Sequence, residues 1–496
     1  MPFPTNPVRE WRENMRQLSA QQLANELKMV AEISAKLLTH PLADFPDEVN
    51  RLGAFLQACE TKLIQLMNNQ HPSETEPGVT QYGLGLYVID TTHPILSRLL
   101  GFPKTQITPA LLLEWEGEIG NAGVDDYEGS LIALGKYENL DAAWVTALIY
   151  YLALKLGVRE VSSLAPFGTT PATISAAGDT VTIALVGDWG TGPWMDGPID
   201  CPALQVITQV KLLAPDYTIH LGDVYYAGTA GFLDSDEEVS NFVNSWVGGS
   251  QGSFMLNSNH EMYSGAQGYF GKGLKAAPFA AQNNTSYFAI QSDEWIVIGL
   301  DSAYYDQSPL FMNGALTDDD QINFIKGLDT ANKTVIVLTH HNPTNIEGTG
   351  TAQLTLWNDV TSALGKTPDF WYWGHIHNAI VYSDQSFPAQ NGTKARCVGH
   401  GAIPFGVGYG LQDPDGNNKP SIEYFAHELL SSAYPNTDAQ QANRVLNGFA
   451  LITLKADSIA EEFIDQTGTV RWTQTTPIGL QAIGLAGVSG GAEGAG

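Results

Sequence analysis

The repeat of apolar and polar positions changes character partway along the chain. Over residues 18–38 and 48–67, Leu, Ile, Val and Met recur every three or four positions between polar residues, and 140–156 continues the pattern with Ala, Leu and aromatic side chains. That spacing keeps the apolar groups on one face of a 3.6-residue helix, so the first part of the chain is predicted to be helical. Residues 162–179, rich in Ser, Thr, Pro, Ala and Gly, read as a linker or winding connection, and the domain boundary is placed there. The predicted organisation is a mostly helical N-terminal domain over 1–165, a second domain over 166–478 and a Gly/Ala-rich flexible tail over 479–496.

Beyond the boundary, short β-branched runs appear over 181–186, 217–221, 253–256, 295–300, 334–338 and 370–373, each followed within two residues by Gly, Asp, Asn or His. Helical segments are predicted between several of them, over 203–213, 237–246, 318–328 and 352–364. Alternation of this kind predicts a layered α/β domain. The runs lack polar alternation, which predicts strands covered on both faces. Residues 395–398, 448–454, 459–465 and 469–472 read as the last strands, and no internal repeat is visible.

Charge narrows the partners. Lys and Arg number 24 against 53 Asp and Glu, a formal net charge of −29. Such a surplus repels polyphosphate backbones, so a nucleic acid duplex or an anionic membrane surface is excluded as a general partner. A bound metal can still create a local positive site. Hydrophobic content of 43% excludes a largely disordered chain. Cys59, Cys201 and Cys397 are odd in number and far apart, giving neither a disulfide framework nor a paired zinc signature, and they read as buried and inert. Arg9, Glu10, Arg12, Glu13 and Arg16 stand where a signal peptide needs an apolar stretch. The most apolar run, 142–154, falls short of the roughly 20 residues that span a bilayer. The expectation is a cytoplasmic protein with no membrane span.

The metal-capable residues all follow apolar runs. They are Asp188 in Val-Gly-Asp-Trp-Gly, Asp223 in Leu-Gly-Asp-Val-Tyr-Tyr, Asn259 and His260 in Asn-Ser-Asn-His-Glu, His340 in Leu-Thr-His-His-Asn-Pro, and His375 and His377 in Trp-Gly-His-Ile-His. Ligand sites of α/β sheets form at the carboxyl ends of strands, so these blocks would converge on one cleft. Gly187, Gly222 and Gly374 let the backbone turn sharply there. The donors are hard or borderline, with no thiolate, and too numerous for one four-coordinate ion. They suit a metal pair bridged by a carboxylate.

The blocks, in this order, resemble the calcineurin-like metallophosphoesterase superfamily, and within it the purple acid phosphatase branch. Most of the superfamily carries a histidine two residues after the first aspartate, where this chain has Gly190. The purple branch lacks it and uses a tyrosine three residues after the second aspartate, here Tyr226. The resemblance covers roughly 180–401 and implies a four-layer α/β/β/α sandwich. It implies two metal ions: iron held by Asp188, Tyr226 and His377, and zinc, manganese or iron held by Asn259, His340 and His375, with Asp223 bridging. His260 would contact the phosphate and protonate the leaving group, and His341 would help orient the ligands. The implied activity is hydrolysis of small phosphate monoesters by a metal-bound hydroxide. A phosphodiesterase acting on nucleotide or phospholipid-headgroup diesters is the alternative, and a non-catalytic scaffold on the same fold the third reading. Scaffold members typically lose ligands, whereas this chain keeps the set. Ser258 replaces the family's usual glycine and is expected to tilt the loop slightly, and the N-terminal β-domain of secreted members is not seen.

The remaining candidates have plainer readings. Tyr225 is read as packing, because adjacent side chains on an extended segment point opposite ways. His220 reads as a satisfied core histidine, and His400 as either core or cleft lining, with core favoured. Glu261 and Tyr263 would order the loop, and Asp318, Asp319 and Asp320 would form the charged first turn of a helix. The Asn-x-Thr triplets at Asn283, Asn332 and Asn391 carry no meaning in the cytosol. Substrate choice is expected to depend on loops 265–285, 303–317 and 401–447, and the sequence does not indicate an oligomeric state.

Overall fold

The computed structural model describes residues 170–478 apart from 195–200, 231–235, 317–318, 351–353, 436, 438–440 and 442, together with 123–124, 131–132, 137, 147, 150, 151, 154 and 160–162 upstream. The predicted helices over 18–38 and 48–67, the tail and Cys59 lie outside these residues. Within 140–156, residues 147, 150, 151 and 154 are helical, spaced three and four apart on one face. One piece of the first third is extended instead. Strands β1 (Gly123–Val124) and β2 (Leu131–Ile132) pair antiparallel.

Two sheets make up the body. The first has six strands, in the order β16 (Val470–Pro477), β15 (Ser458–Asp465), β14 (Gly448–Lys455), β4 (Thr180–Val186), β5 (Tyr217–His220), β6 (Gly252–Met255). The second has eight: β13 (Ile422–Phe425), β11 (Ala379–Tyr382), β12 (Lys394–Val398), β10 (Phe370–Trp373), β9 (Thr334–Thr339), β8 (Trp295–Gly299), β7 (Phe288–Gln291), β3 (Ala172–Ser175). β4, β5 and β6 run parallel, as do β8, β9 and β10.

Period-two side chains explain the layering. In β4, Val181, Ile183 and Leu185 join the core between the sheets, while Ala184 and Val186 face outward onto helix α1 (Pro202–Leu213) through Val206, Ile207 and Val210. In the second sheet, Ile336, Leu338, Phe370 and Tyr372 point inward. Val335, Val337, Trp371 and Trp373 point outward onto Ile325 and onto Leu356 and Val360. Those residues belong to the helices Asp319–Gly327 and Leu354–Leu364. Both sheets are therefore covered on both faces, the predicted α/β/β/α sandwich.

Two predicted elements differ. The stretch read as a connection contains β3, which extends the second sheet by pairing parallel with β7. The helix expected over 237–246 is a π-helical segment, Glu238–Val243.

Candidate metal centre

The parallel strands deliver their side chains to one edge. Asp188 follows β4, Asp223 follows β5, Asn259 follows β6, His340 follows β9, and His375 and His377 follow β10. The turns that release them are tight: Asp188, Asp223 and His375 have positive φ angles of 55°, 77° and 65°. Non-glycine residues rarely adopt this region, and strain of this sort clusters at functional sites. Gly222 (φ 103°) must be glycine for a second reason, since a Cβ there would lie 2.7 Å from His340 Nδ1. A Cβ at Gly374 would lie 2.6 Å from Asp188 Oδ2.

Hydrogen bonds fix which atoms face the centre. His340 Nδ1 is 2.8 Å from the Leu221 carbonyl, which can only accept, so Nδ1 carries the proton and Nε2 a lone pair. Burial lowers the His340 pKa to about 3, so the ring is neutral near pH 7. Its bare Nε2 faces Asn259 Oδ1 at 2.8 Å, His375 Nδ1 at 3.2 Å and Asp223 Oδ1 at 3.3 Å. Asn259 donates from Nδ2 to Tyr263 Oη at 2.9 Å, which aims its Oδ1 at His340. Electron pairs thus converge with no donor between His340 and Asn259, an arrangement that a cation satisfies. The donor set fits a metal.

The other half of the site gathers around Asp188. Burial and the charge of Asp223 push the Asp188 carboxyl well above its usual range, and the backbone N–H of His375 donates to its Oδ2 at 2.9 Å. His377 Nε2 stands 3.6 Å from Asp188 Oδ1. The hydroxyl of Tyr225 lies 2.9 Å from Asp223 Oδ2, 3.2 Å from His377 Nε2 and 3.4 Å from Asp188 Oδ1. Burial, then the charges of Asp223 and Asp188, raise this phenol well above its ordinary pKa. It therefore keeps its proton for Asp223 until a cation reverses the local field.

The sequence reading takes Tyr226 as the ligand and Tyr225 as packing, and the structure places the two side chains differently. The phenol among Asp188, Asp223 and His377 is that of Tyr225. Tyr226 stacks its ring on Tyr137 and gives its carbonyl to His260 Nδ1 at 2.8 Å. The cause is a contact the motif does not encode. Val224 bridges to Gly190 in parallel, and Tyr225 N donates to Gly190 O, which holds this segment alongside the Asp188 turn.

His260 occupies the first turn of α2 (Asn259–Tyr263), with Tyr225 and Tyr263 against its ring at 4.5 and 4.9 Å. Its Nδ1–H is committed to Tyr226, leaving Nε2 3.7 Å from Asp223 Oδ2 and facing the centre. Ser258, expected to tilt this loop, instead ties it down. Its Oγ accepts from His260 N as a helix cap and from Asp223 N, and lies 2.5 Å from Asp223 Oδ1. Glu261 also touches that hydroxyl. Burial and then the Asp223 charge raise Glu261 to about 8, while the Ser258 hydroxyl beside it pulls the other way. Of these groups, sequence reasoning missed Tyr225 and Ser258; the i, i+2 relation of Tyr225 to Asp223 was the available signal.

The other histidines separate cleanly. His341 shares with His340 and His375 a cluster whose ligand atoms lie within 4.8 Å, as do Asp188, Asp223 and His340. Both His341 ring nitrogens are committed, Nδ1 to Ser302 Oγ at 2.8 Å and Nε2 to Phe311 O at 2.7 Å. His220 is core, but among the described residues neither ring nitrogen has a hydrogen-bond partner, and the ring stacks on Phe242 beside Trp189 and Trp246. His400 is buried and stacks on Phe463.

The sequence model of the calcineurin-like phosphoesterase family matches residues 181–379, a span that contains every candidate ligand above. The chain carries a calcineurin-like phosphoesterase domain. No curated protein matches the sequence significantly. Among solved structures, the chain is similar to GAP50, the anchor in the inner membrane complex of Plasmodium, at 15% identity, covering 61% of this chain and 90% of that one with a TM-score of 0.41. It is similar to PhoD at 10% identity, 61% and 69% coverage and a TM-score of 0.36. A 5'-nucleotidase precursor from Thermus thermophilus shares 12% identity over 60% of this chain and 54% of that one, with a TM-score of 0.24. No described helix of the chain is long and apolar enough to cross a membrane.

Proposed function

We propose that this phosphoesterase hydrolyses small phosphate monoesters at a two-metal centre of the purple acid phosphatase kind. The observation that carries the reading is the convergence of ligand atoms from His340, Asn259, His375 and Asp223 on one point, beside a second cluster of Asp188, Asp223, His377 and Tyr225. Asp188, His377 and the Tyr225 phenol would hold one ion, Asn259, His340 and His375 the other, and Asp223 would bridge them. Tyr225 takes the role that the resemblance gives to Tyr226. A hard phenolate favours iron at its site, and zinc, manganese or iron suits the imidazole-rich one.

When bound, the ion pair lowers the pKa of water and neutralises charge on the phosphoryl group. The protein's own residues do the rest. Ser258 and the left-handed turns hold the carboxylates, and Tyr263 orients the Asn259 amide. His260, its Nδ1–H fixed on Tyr226, offers Nε2 to the leaving-group oxygen as general acid. The catalytic unit is taken as 166–478, in a cytoplasmic protein.

The test compares turnover of p-nitrophenyl phosphate with bis-p-nitrophenyl phosphate, using protein refilled with iron plus zinc or manganese. Strong monoester preference supports the proposal. A diester preference would replace it with the phosphodiesterase reading, and hydrolysis of neither would end both.

A further inference from the structure

The first part of the chain reaches the centre through two tyrosines. Tyr137 donates its hydroxyl to the Thr191 carbonyl at 2.6 Å and stacks on Tyr226, ring centroids 4.8 Å apart at 25°. Its ring edge also meets Trp194 at 5.4 Å and Tyr225 at 6.0 Å. Tyr137 therefore touches both segments of the Gly190–Val224 bridge: the one leading out of Asp188, and the one carrying the Tyr225 phenol and the Tyr226 carbonyl that orients His260.

Tyr151 does the equivalent on the opposite side. Its hydroxyl accepts from Leu310 N at 3.1 Å, and its ring meets Tyr263 and Phe311 edge-on at 6.0 and 5.8 Å. Tyr263 orients Asn259, and the Phe311 carbonyl accepts from His341. Leu310 and Phe311 both have positive φ, 54° and 53°, a conformation costly for bulky side chains that persists only where surroundings enforce it. Ala147 and Tyr150 lie in the same apolar cluster, and Leu154 packs against it. Tyr137 and Tyr151 are 3% and 2% exposed, too buried to meet substrate.

We propose that Tyr137 and Tyr151 are positioning residues for the metal centre, each serving a different half of it. The inference rests on the two-metal reading above. Tyr137 keeps the Tyr225 phenol and His260 in place, and Tyr151 keeps Asn259 and His341 in place.

The test uses the full-length protein with Tyr137→Leu, Tyr137→Phe, Tyr151→Leu and Tyr151→Phe, reading zinc affinity at each site by chelator competition and kcat and KM separately for p-nitrophenyl phosphate. Partners that orient metal ligands typically contribute about 10–100-fold in affinity or activity. Tyr151→Leu is expected to weaken one of the two zinc sites by about that factor and leave the other unchanged. Tyr137→Leu is expected to lower kcat by a similar ~10–100-fold with a smaller change in KM, and to weaken the other zinc site. Tyr137→Phe keeps the stack and is expected to restore most of kcat. If the leucine variants fail to fold, the phenylalanine variants decide: each removes one hydroxyl hydrogen bond and is expected to show a smaller change in the same direction. Folded variants with wild-type zinc affinities and an unchanged kcat would overturn the proposal. A wild-type protein that binds no zinc pair would overturn the two-metal reading itself, and is recognised before any variant is compared.

Discussion

Removing one hydroxyl separates the two tyrosines. Tyr225→Phe deletes an oxygen that lies 2.9, 3.2 and 3.4 Å from Asp223, His377 and Asp188, while leaving the ring that packs against His260. Tyr226→Phe leaves both its stack on Tyr137 and its carbonyl bond to His260. Even groups one step removed from a metal change affinity about 10–100-fold, and at about 1.4 kcal/mol per tenfold that is roughly 1.4–2.7 kcal/mol. A direct ligand sets this as the lower bound, so Tyr225→Phe is expected to weaken ferric binding by at least about 100-fold and to abolish the visible absorption of a ferric phenolate. Tyr226→Phe is expected to keep both. The assay is ferric titration followed by absorbance, with a melting curve to show that each variant folds. Loss of the band in Tyr226→Phe and its retention in Tyr225→Phe would refute the side-chain assignment and restore the order implied by the motif.

Further outcomes follow from the same geometry. Asn259→Ala or His377→Ala should abolish hydrolysis in a folded protein, and wild-type turnover by a well-folded Asn259→Ala variant would contradict the dimetal assignment. Burial holds His220 at about 3, against 6.5 for the free side chain, so between those values the unfolded chain binds the extra proton. The stability contributed by the neutral ring is therefore complete above about pH 6.5 and declines by up to about 1.4 kcal/mol per unit as pH falls toward 3. His220→Leu should flatten that slope in urea unfolding, and an unchanged slope would show that this ring is not the titrating group. Since neither ring nitrogen is hydrogen-bonded, the same variant should lose little stability at pH 7. Chelator treatment should lower the melting temperature, and refilling should restore it in a metal-concentration-dependent manner, because a metal that binds only the folded chain stabilises it by mass action. A melting temperature indifferent to metal would contradict a preformed site.

Much of the frame was legible because strands covered on both faces have no polar alternation. The run 370–373 was recognisable for that reason, and its alternate rings do divide between two cores. The release of Asp188, Asp223 and His375 at strand ends could be read from the glycines before them. β3, β7, β11 and β13 were not read from the sequence, and Ala172–Ser175 is half polar, so it shows no continuous apolar run. Tyr225 was misjudged because its direction is set by the Gly190–Val224 bridge, a contact between segments distant in sequence. Ser258 looked like an imperfect glycine, and only the fold shows its hydroxyl between the helix cap and Asp223. The unsatisfied nitrogens of His220 depend in the same way on which neighbours the fold supplies.

The central claim is a pair of metal ions held by these side chains. It is tested most directly by equilibrium dialysis of the intact protein against zinc, counting ions bound per chain by elemental analysis. Two ions per folded chain is the predicted result, and a chain that saturates at one ion or binds none would contradict it.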